Sequence, residues 1–220
     1  MKIDELFNYY GTDKAIYAAQ YHALFKHIRE RPRTLLEIGI GTMIPDAPEN
    51  MVNYAGEGYS PGGSLRAWRD YFPNAEVHGI DIQPDTQFVD EARIHTHLCN
   101  STSHDLVNRF IESQGGISFD IIIDDGSHRA IDQLTTLRNL YPHLERGGYY
   151  IIEDVGLGSR LLALEDVGLG SRLLLNVLGL GSRLLTELSP EVRAVCGDDL
   201  LFATWEKKAE SYFVVISRRL

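Results

Sequence analysis

"LLEIGIGT", residues 35–42, is an apolar run that closes on an acid and two glycines one residue apart. It reads as a buried strand ending at a turn, where the missing side chains of Gly39 and Gly41 let a ligand approach the backbone. "VHGIDI" at 77–82 repeats the theme, since this second short strand ends in Asp81, a carboxylate able to accept both hydroxyls of a ribose. In this order the two motifs predict a crevice for an adenosine-containing ligand at the carboxyl ends of parallel strands. In dinucleotide folds the acid lies about 20 residues after the glycines, whereas Gly41 and Asp81 are 40 positions apart. The surplus falls in MIPDAPENMVNYAGEGYSPGG (43–63), rich in Pro, Gly and Asn and without apolar period, which predicts an inserted loop or lid.

Working outward, short apolar runs recur at TLLEI (34–38), AEVHGI (75–80), ARIHTHL (92–98), FDIII (119–123) and YYIIE (149–153). Between them SLRAWRDYF, SHDLVNRFIES and SHRAIDQLTTLRNLYPHL carry apolar residues at helical spacing, the latter two behind a Ser cap. Strands alternating with helices imply a parallel sheet covered on both faces, and LLFATWE and YFVVIS, separated by KKAES, predict a closing hairpin. The expected fold is α/β: a Rossmann-like doubly wound sheet of about seven strands, mostly parallel, with a C-terminal antiparallel hairpin. One domain over 1–220 accommodates it, with residues 1–32 as an N-terminal helical cap. An internal repeat interrupts the pattern, with VGLGSRLL at 155–162 and 167–174 and LGLGSRLL at 178–185. Copies so closely spaced cannot form a solenoid, whose units are about 20 residues or longer. They predict three helical starts capped by Ser159, Ser171 and Ser182, and carry no chemistry.

Composition narrows the partners. Of the 220 residues 44% are hydrophobic, enough for a sizeable core, and 21 Lys and Arg against 31 Asp and Glu give a net charge of −10. That charge repels a phosphate backbone, so nucleic acid is not expected. The opening MKIDELFNYY carries acids where a signal peptide carries basic residues, and no stretch reaches the roughly 20 apolar residues of a membrane span. A cytoplasmic chain with no membrane partner follows, and a homo-oligomer is compatible with it. Cys99 and Cys196 are far apart and lack CxxC spacing, so they are expected as free thiols.

The chemistry gathers at "IIIDDGSH" (121–128) and "GGYYIIEDV" (147–155), two neighbouring strands that end in Asp124, Asp125, Glu153 and Asp154. Adjacent strands lie about 4.8 Å apart, so four carboxylates converge and repel one another unless a cation sits among them. Oxygen ligands from Asp125, Glu153 and Asp154 suit Mg²⁺. His128, placed at the start of the next helix, is the natural general base. One of Asp124 and Asp125 is expected to cap that helix near Ser127. Cys99, Asn100 and Ser101, after the third strand, stand where polar groups could contact an adenine.

The order LLEIGIG, GGSLRAWRDYFPNAEVHGIDI, FDIIIDDGSH and GGYYIIEDV, with YGTDK at 10–14, resembles the S-adenosylmethionine (SAM)-dependent O-methyltransferases that act on sugar hydroxyls of macrolides. The resemblance covers residues 10–155. It implies Mg²⁺ at Asp125, Glu153 and Asp154, His128 as base, and SAM contacted by Glu37, Gly39, Gly41, Ser64, Asp81, Ile82, Asn100, Ser101 and Asp124. The acceptor it implies is a hydroxylated, glycosylated small molecule. AIYAAQ follows YGTDK where members of that family often carry a histidine. Two rival readings share parts of the pattern. A nicotinamide-dependent oxidoreductase would use the glycine turn and ribose acid, but Ile44 stands at the third glycine of GxGxxG. A non-catalytic nucleotide-binding protein would need neither His128 nor a metal.

Overall fold

The structure, a computed structural model, describes residues 1–47, 50–56, 58–88, 91–156, 162–163, 187–188, 190–197, 200–206 and 211–219. Its strands are β1 (Thr34–Ile38), β2 (Glu76–Asp81), β3 (Ile94–Leu98), β4 (Phe119–Asp124), β5 (Leu144–Val155), β6 (Leu162–Ala163), β7 (Glu187–Leu188), β8 (Leu200–Glu206) and β9 (Ser211–Ser217). The α-helices are α1 (Ile3–Tyr9), α2 (Ala18–Phe25), α3 (Val52–Ala55), α4 (Gly63–Tyr71), α5 (His104–Ser113), α6 (Ala130–Leu140) and α7 (Pro190–Cys196). Seven strands form one sheet in the order β3-β2-β1-β4-β5-β9-β8, and β6 and β7 make a separate two-residue ladder. β1 to β5 are parallel, and β9 joins β5 antiparallel with β8 beside it. The doubly wound sheet and its C-terminal hairpin are as the sequence predicts, and β5, at 12 residues, outruns YYIIE at both ends.

Because successive strand residues point to opposite faces, each central strand feeds two cores. Leu36, Ile38, Ile122, Tyr150, Ile152, Val214 and Ile216 pack under α5, α6 and α7. Leu35, Val77, Ile121, Ile123, Ile151, Phe213 and Val215 pack under α1, α2 and α4. Both faces are apolar, which is why these strands read as nearly continuous hydrophobic runs. The N-terminal residues form α1, a 3₁₀ turn at Asp13–Tyr17 and α2, anchored by rings. Trp68 of α4 meets Phe7, Tyr21 and Phe25, and Tyr17 and Tyr21 both meet Phe213 of β9. Offset or edge contacts of this kind contribute about 0.5–1.5 kcal/mol each beyond area burial.

Ser103 caps α5 as expected, accepting the Leu106 N–H at 3.4 Å. Ser127 does not cap α6. The helix starts at Ala130 behind Arg129, and Ser127 Oγ donates instead to Asp132 at 2.7 Å. The cause is His128, whose φ of 54° is left-handed and cannot lie in an α-helix. His128 therefore precedes the helix rather than starting it, a correction to the sequence reading. The GLGSRLL repeat falls almost wholly outside the described residues, as do its three serines. Cys99 and Cys196 are buried and form no disulfide.

Below β3 three imidazoles are stacked. His78, 4% exposed, lies 4.8 Å from the His95 ring and 5.7 Å from His97, centroid to centroid. Burial, then the neighbouring imidazoles, push His78 down to about 4. Its folded pKa lies below the ordinary 6.5, so the unfolded chain binds the proton first and stability falls as pH drops through this window. Urea unfolding of wild type and His78→Gln should show it: between about pH 7 and about pH 4.5 the variant loses about 2 kcal/mol less. Parallel losses would show that His78 is not held neutral.

Candidate functional site

The strand order reverses between β1 and β4, and at such a switch point the following connections diverge and leave a crevice at the carboxyl ends. The two strand ends are in backbone contact there: Ile38 pairs with Asp124, and Asp125 N–H donates to the Ile38 carbonyl at 3.0 Å. Gly39, at φ 78°, is required at this point, since a Cβ would collide with the Asp125 carbonyl. Next to it Asp81 closes β2 and ties down the glycine turn, accepting Ile40 N–H at 3.0 Å on one oxygen and Gln83 N–H at 2.9 Å on the other. The described residues of the insertion 43–63 fold back over this turn. Thr42 bridges to Asn50, Met51 is buried, and Tyr59 donates to the Ile40 carbonyl at 3.2 Å. Tyr59 and Met51 occupy the space that a Cβ on Gly41 would need.

Strand alternation decides where the acids go. Glu153 lies on the Ile151 side of β5 and Glu37 on the Leu35 side of β1, the face that carries the N-terminal helices. Both carboxylates are buried there, and Lys14 enters between them. Lys14 Nζ stands 3.1 Å from Glu37 Oε1, 2.5 Å from Asp125 Oδ2 and 3.1 Å from Glu153 Oε1, with 1% of its side chain exposed. Trp68 Nε1 donates to the other Glu37 oxygen at 2.9 Å, and Tyr21 OH makes a short hydrogen bond to Glu153. Burial opposes the Lys14 charge, but Asp125, Glu153 and Glu37 outweigh it and hold its pKa well above the ordinary lysine value. Burial pushes Glu37 up to about 7 against the pull of Lys14, and drives Glu153 upward as well. Asp125 moves the other way: burial works against its charge, while Lys14 and His128 hold its pKa down.

Asp154 breaks the alternation. Its φ of 52° and a register shift between Ile152 and Val155 in the β5–β9 ladder turn its carboxylate toward Tyr17, whose OH donates to Oδ1 at 2.7 Å. His128 Nε2 lies 3.0 Å from Asp125 Oδ1 and 3.9 Å from Asp154 Oδ2. Asp125, His128 and Asp154 form the one group among the described residues whose ligating atoms all lie within 4.8 Å of one another. Two of the three non-glycine residues with positive φ among those described are His128 and Asp154. Such strain costs about 1–3 kcal/mol per residue and persists where the surroundings over-determine it, commonly at functional sites.

The structure therefore brings Asp125, Asp154 and His128 together and turns Glu153, the expected third ligand, toward Lys14 and Tyr21. Asp124 caps no helix. It is buried, accepts Gly126 N–H at 3.3 Å, and is pushed by burial up to about 7. Ser64 and Glu37 are buried, and Ser64 hydrogen-bonds Glu37. Ile82 and Asn100 are exposed beside Asp81 and beyond β3, and Ser101 Oγ lies 2.9 Å from Thr136 Oγ1. Sequence reading missed Lys14, Tyr17 and Tyr21, although their i, i+3, i+7 spacing would have put them on one helical face.

No protein-family profile matches the chain. A tetracenomycin-pathway 3'-O-methyltransferase of Streptomyces olivaceus is 40% identical over 136 residues, 61% of this chain and 31% of that protein. Mycinamicin VI 2''-O-methyltransferase of Micromonospora griseorubida is 34% identical over 143 residues, 63% of this chain and 31% of its own. The crystal structure of MycE, a mycinamycin-pathway methyltransferase bound to Mg and S-adenosylhomocysteine (SAH), superposes with a TM-score of 0.58 at 32% identity, over 70% of this chain and 39% of that one. The chain thus spans about a third of the curated relatives it matches, and its fold is the Rossmann-like fold of these methyltransferases.

Removing the Lys14 ammonium strands buried carboxylates. Lys14→Met is expected to cost about 3–5 kcal/mol in urea unfolding near neutral pH. The deficit should shrink toward about pH 5, because carboxylates without their cation bind protons more tightly folded than unfolded. An unchanged midpoint would show that Lys14 does not balance these charges.

Proposed function

We propose that the chain is a SAM-dependent O-methyltransferase that methylates a hydroxyl of a sugar on a natural product, using Mg²⁺ and His128. The observation that carries this reading is the meeting of Asp125, Asp154 and the His128 imidazole at the switch-point crevice, beside the Gly39 turn and Asp81. The donor set fits the ion, since two carboxylates on one side of a crevice offer the hard oxygens that Mg²⁺ takes while leaving positions for water or substrate. The matched relatives are named for methylation of rhamnosyl and macrolide sugars, and MycE has been crystallised with Mg, SAH and mycinamycin VI.

Asp125 and Asp154 would hold the ion, with Glu153 behind them on Lys14. When bound, Mg²⁺ lowers the pKa of a coordinated hydroxyl and fixes its orientation. Asp125 Oδ1 can only accept, so His128 Nε2 carries the proton of their 3.0 Å contact. The other ring nitrogen, Nδ1, would take the proton of an acceptor hydroxyl, and the Asp125 charge would stabilise the resulting imidazolium. Asp81 and the Gly39–Gly41 turn present a carboxylate and bare backbone to the nucleoside, and Ile82 offers an exposed apolar surface next to them. Asn100 and Ser101, beyond β3, complete the adenine side. Asp124, drawn toward neutrality, can donate as well as accept a hydrogen bond at the crevice floor.

Calorimetric titration with SAM and with NAD⁺, the former repeated in Mg²⁺ and in EDTA, tests the cofactor. SAM binding without response to NAD⁺ is the expected outcome; binding of NAD⁺ alone would favour an oxidoreductase. With deoxyhexose glycosides as acceptors, His128→Ala should slow methyl transfer by about 10²- to 10⁴-fold while SAM affinity stays unchanged. Undiminished turnover would remove His128 from the chemistry, and no transfer by wild type to any glycoside would favour a non-catalytic nucleotide-binding role.

A further inference from the structure

Each carboxylate of the candidate cation site is held through one oxygen by the N-terminal turn and has its other oxygen within 4 Å of His128 Nε2. Asp125 gives Oδ2 to Lys14 at 2.5 Å and turns Oδ1 to His128 at 3.0 Å. Asp154 gives Oδ1 to Tyr17 at 2.7 Å and lies with Oδ2 3.9 Å from the same His128 nitrogen. The two rear contacts come from one short turn, Asp13–Tyr17, whose start is fixed by Lys14 N–H donating to Thr12 Oγ1 at 3.4 Å. That turn is seated in the core: Lys14 is 1% and Tyr17 0% exposed, and the Tyr17 ring lies 5.1 Å from Phe213 of β9.

We propose that Lys14 and Tyr17 are positioning residues for the cation site, taking one oxygen of Asp125 and one of Asp154 from behind and so presenting the others toward His128 before any ion arrives. The proposal rests on the reading of Asp125 and Asp154 as Mg²⁺ ligands. Its physical content is preorganisation. A carboxylate free to rotate must be ordered when the ion binds, whereas one already tied through its far oxygen needs no such ordering, and partners of this kind tune metal affinity. Tyr17 has a second task, because Asp154 sits in a left-handed conformation and the Tyr17 hydrogen bond helps to hold it there. Lys14 also meets Glu153 and Glu37, so one ammonium ties Asp125 to the strand ends beside it.

Tyr17→Phe is the clean test, since the ring keeps its place against Phe213 and the donor to Asp154 is lost. Mg²⁺ and SAH affinities are measured separately by calorimetry on wild type, Tyr17→Phe and Tyr10→Phe. The last removes a hydroxyl that donates to Asp70 at 2.6 Å, away from the site. Tyr17→Phe should bind Mg²⁺ about 10- to 100-fold more weakly, with SAH affinity and metal-free unfolding midpoint close to wild type. Tyr10→Phe should match wild type throughout. Unchanged Mg²⁺ affinity in Tyr17→Phe would overturn the proposal alone. Equal losses of Mg²⁺ affinity, SAH affinity and stability would reduce Tyr17 to a structural residue and also overturn it. No Mg²⁺ binding by wild type would overturn the metal reading of the site and the positioning role with it.

Discussion

A single ammonium group sets the terms for the crevice. Lys14 reaches the junction of β1, β4 and β5 and meets one carboxylate from each strand or its end, Glu37, Asp125 and Glu153. Without it these three acids, two of them buried, would repel one another and the strands that carry them. With it, the N-terminal segment, which contributes no strand to the sheet, becomes the element that makes the strand ends electrostatically tenable. The aromatic seat around Trp68 and Phe213 holds Lys14 in place. Burial of rings thus stabilises a charge that would otherwise be costly to desolvate.

The same arrangement separates two kinds of acid that sequence alone presents as one group. Glu37 and Glu153 are drawn into the interior and toward the neutral form, whereas Asp125 stays ionised and shares its oxygens between Lys14 and His128. The division follows from strand periodicity and one irregularity. Glu153 obeys the alternation of β5 and points inward, and Asp154 escapes it through a left-handed backbone.

Much of the fold was legible because strands buried on both faces leave unbroken apolar runs, as in FDIII and YYIIE, and because the acids terminating them mark the carboxyl ends. The hairpin was legible from two β-rich runs around a polar stretch. His128 was harder: Ser127 looks like a helix cap, and nothing local in SHRAID announces that its histidine is left-handed. Lys14 ends YGTDK and Tyr17 and Tyr21 follow it closely, yet their common face has meaning only once β4 and β5 supply partners more than 100 residues away. Contacts of such separation leave no periodic trace. Glu153 shows the converse, since its inward direction could have been read from the parity it shares with Ile151.

The absent side chain at Gly39 has a mechanical consequence. With no Cβ to hold them apart, the backbone leaving β1 and the carbonyl of Asp125 beyond β4 touch directly, joined by the Asp125 N–H to Ile38 carbonyl bond. The glycine turn and the backbone that carries Asp125 are thus joined as one piece. A shift of either by even a fraction of an ångström must carry the other with it. The spacing between the glycine turn and the backbone that carries Asp125 is therefore written into the main chain.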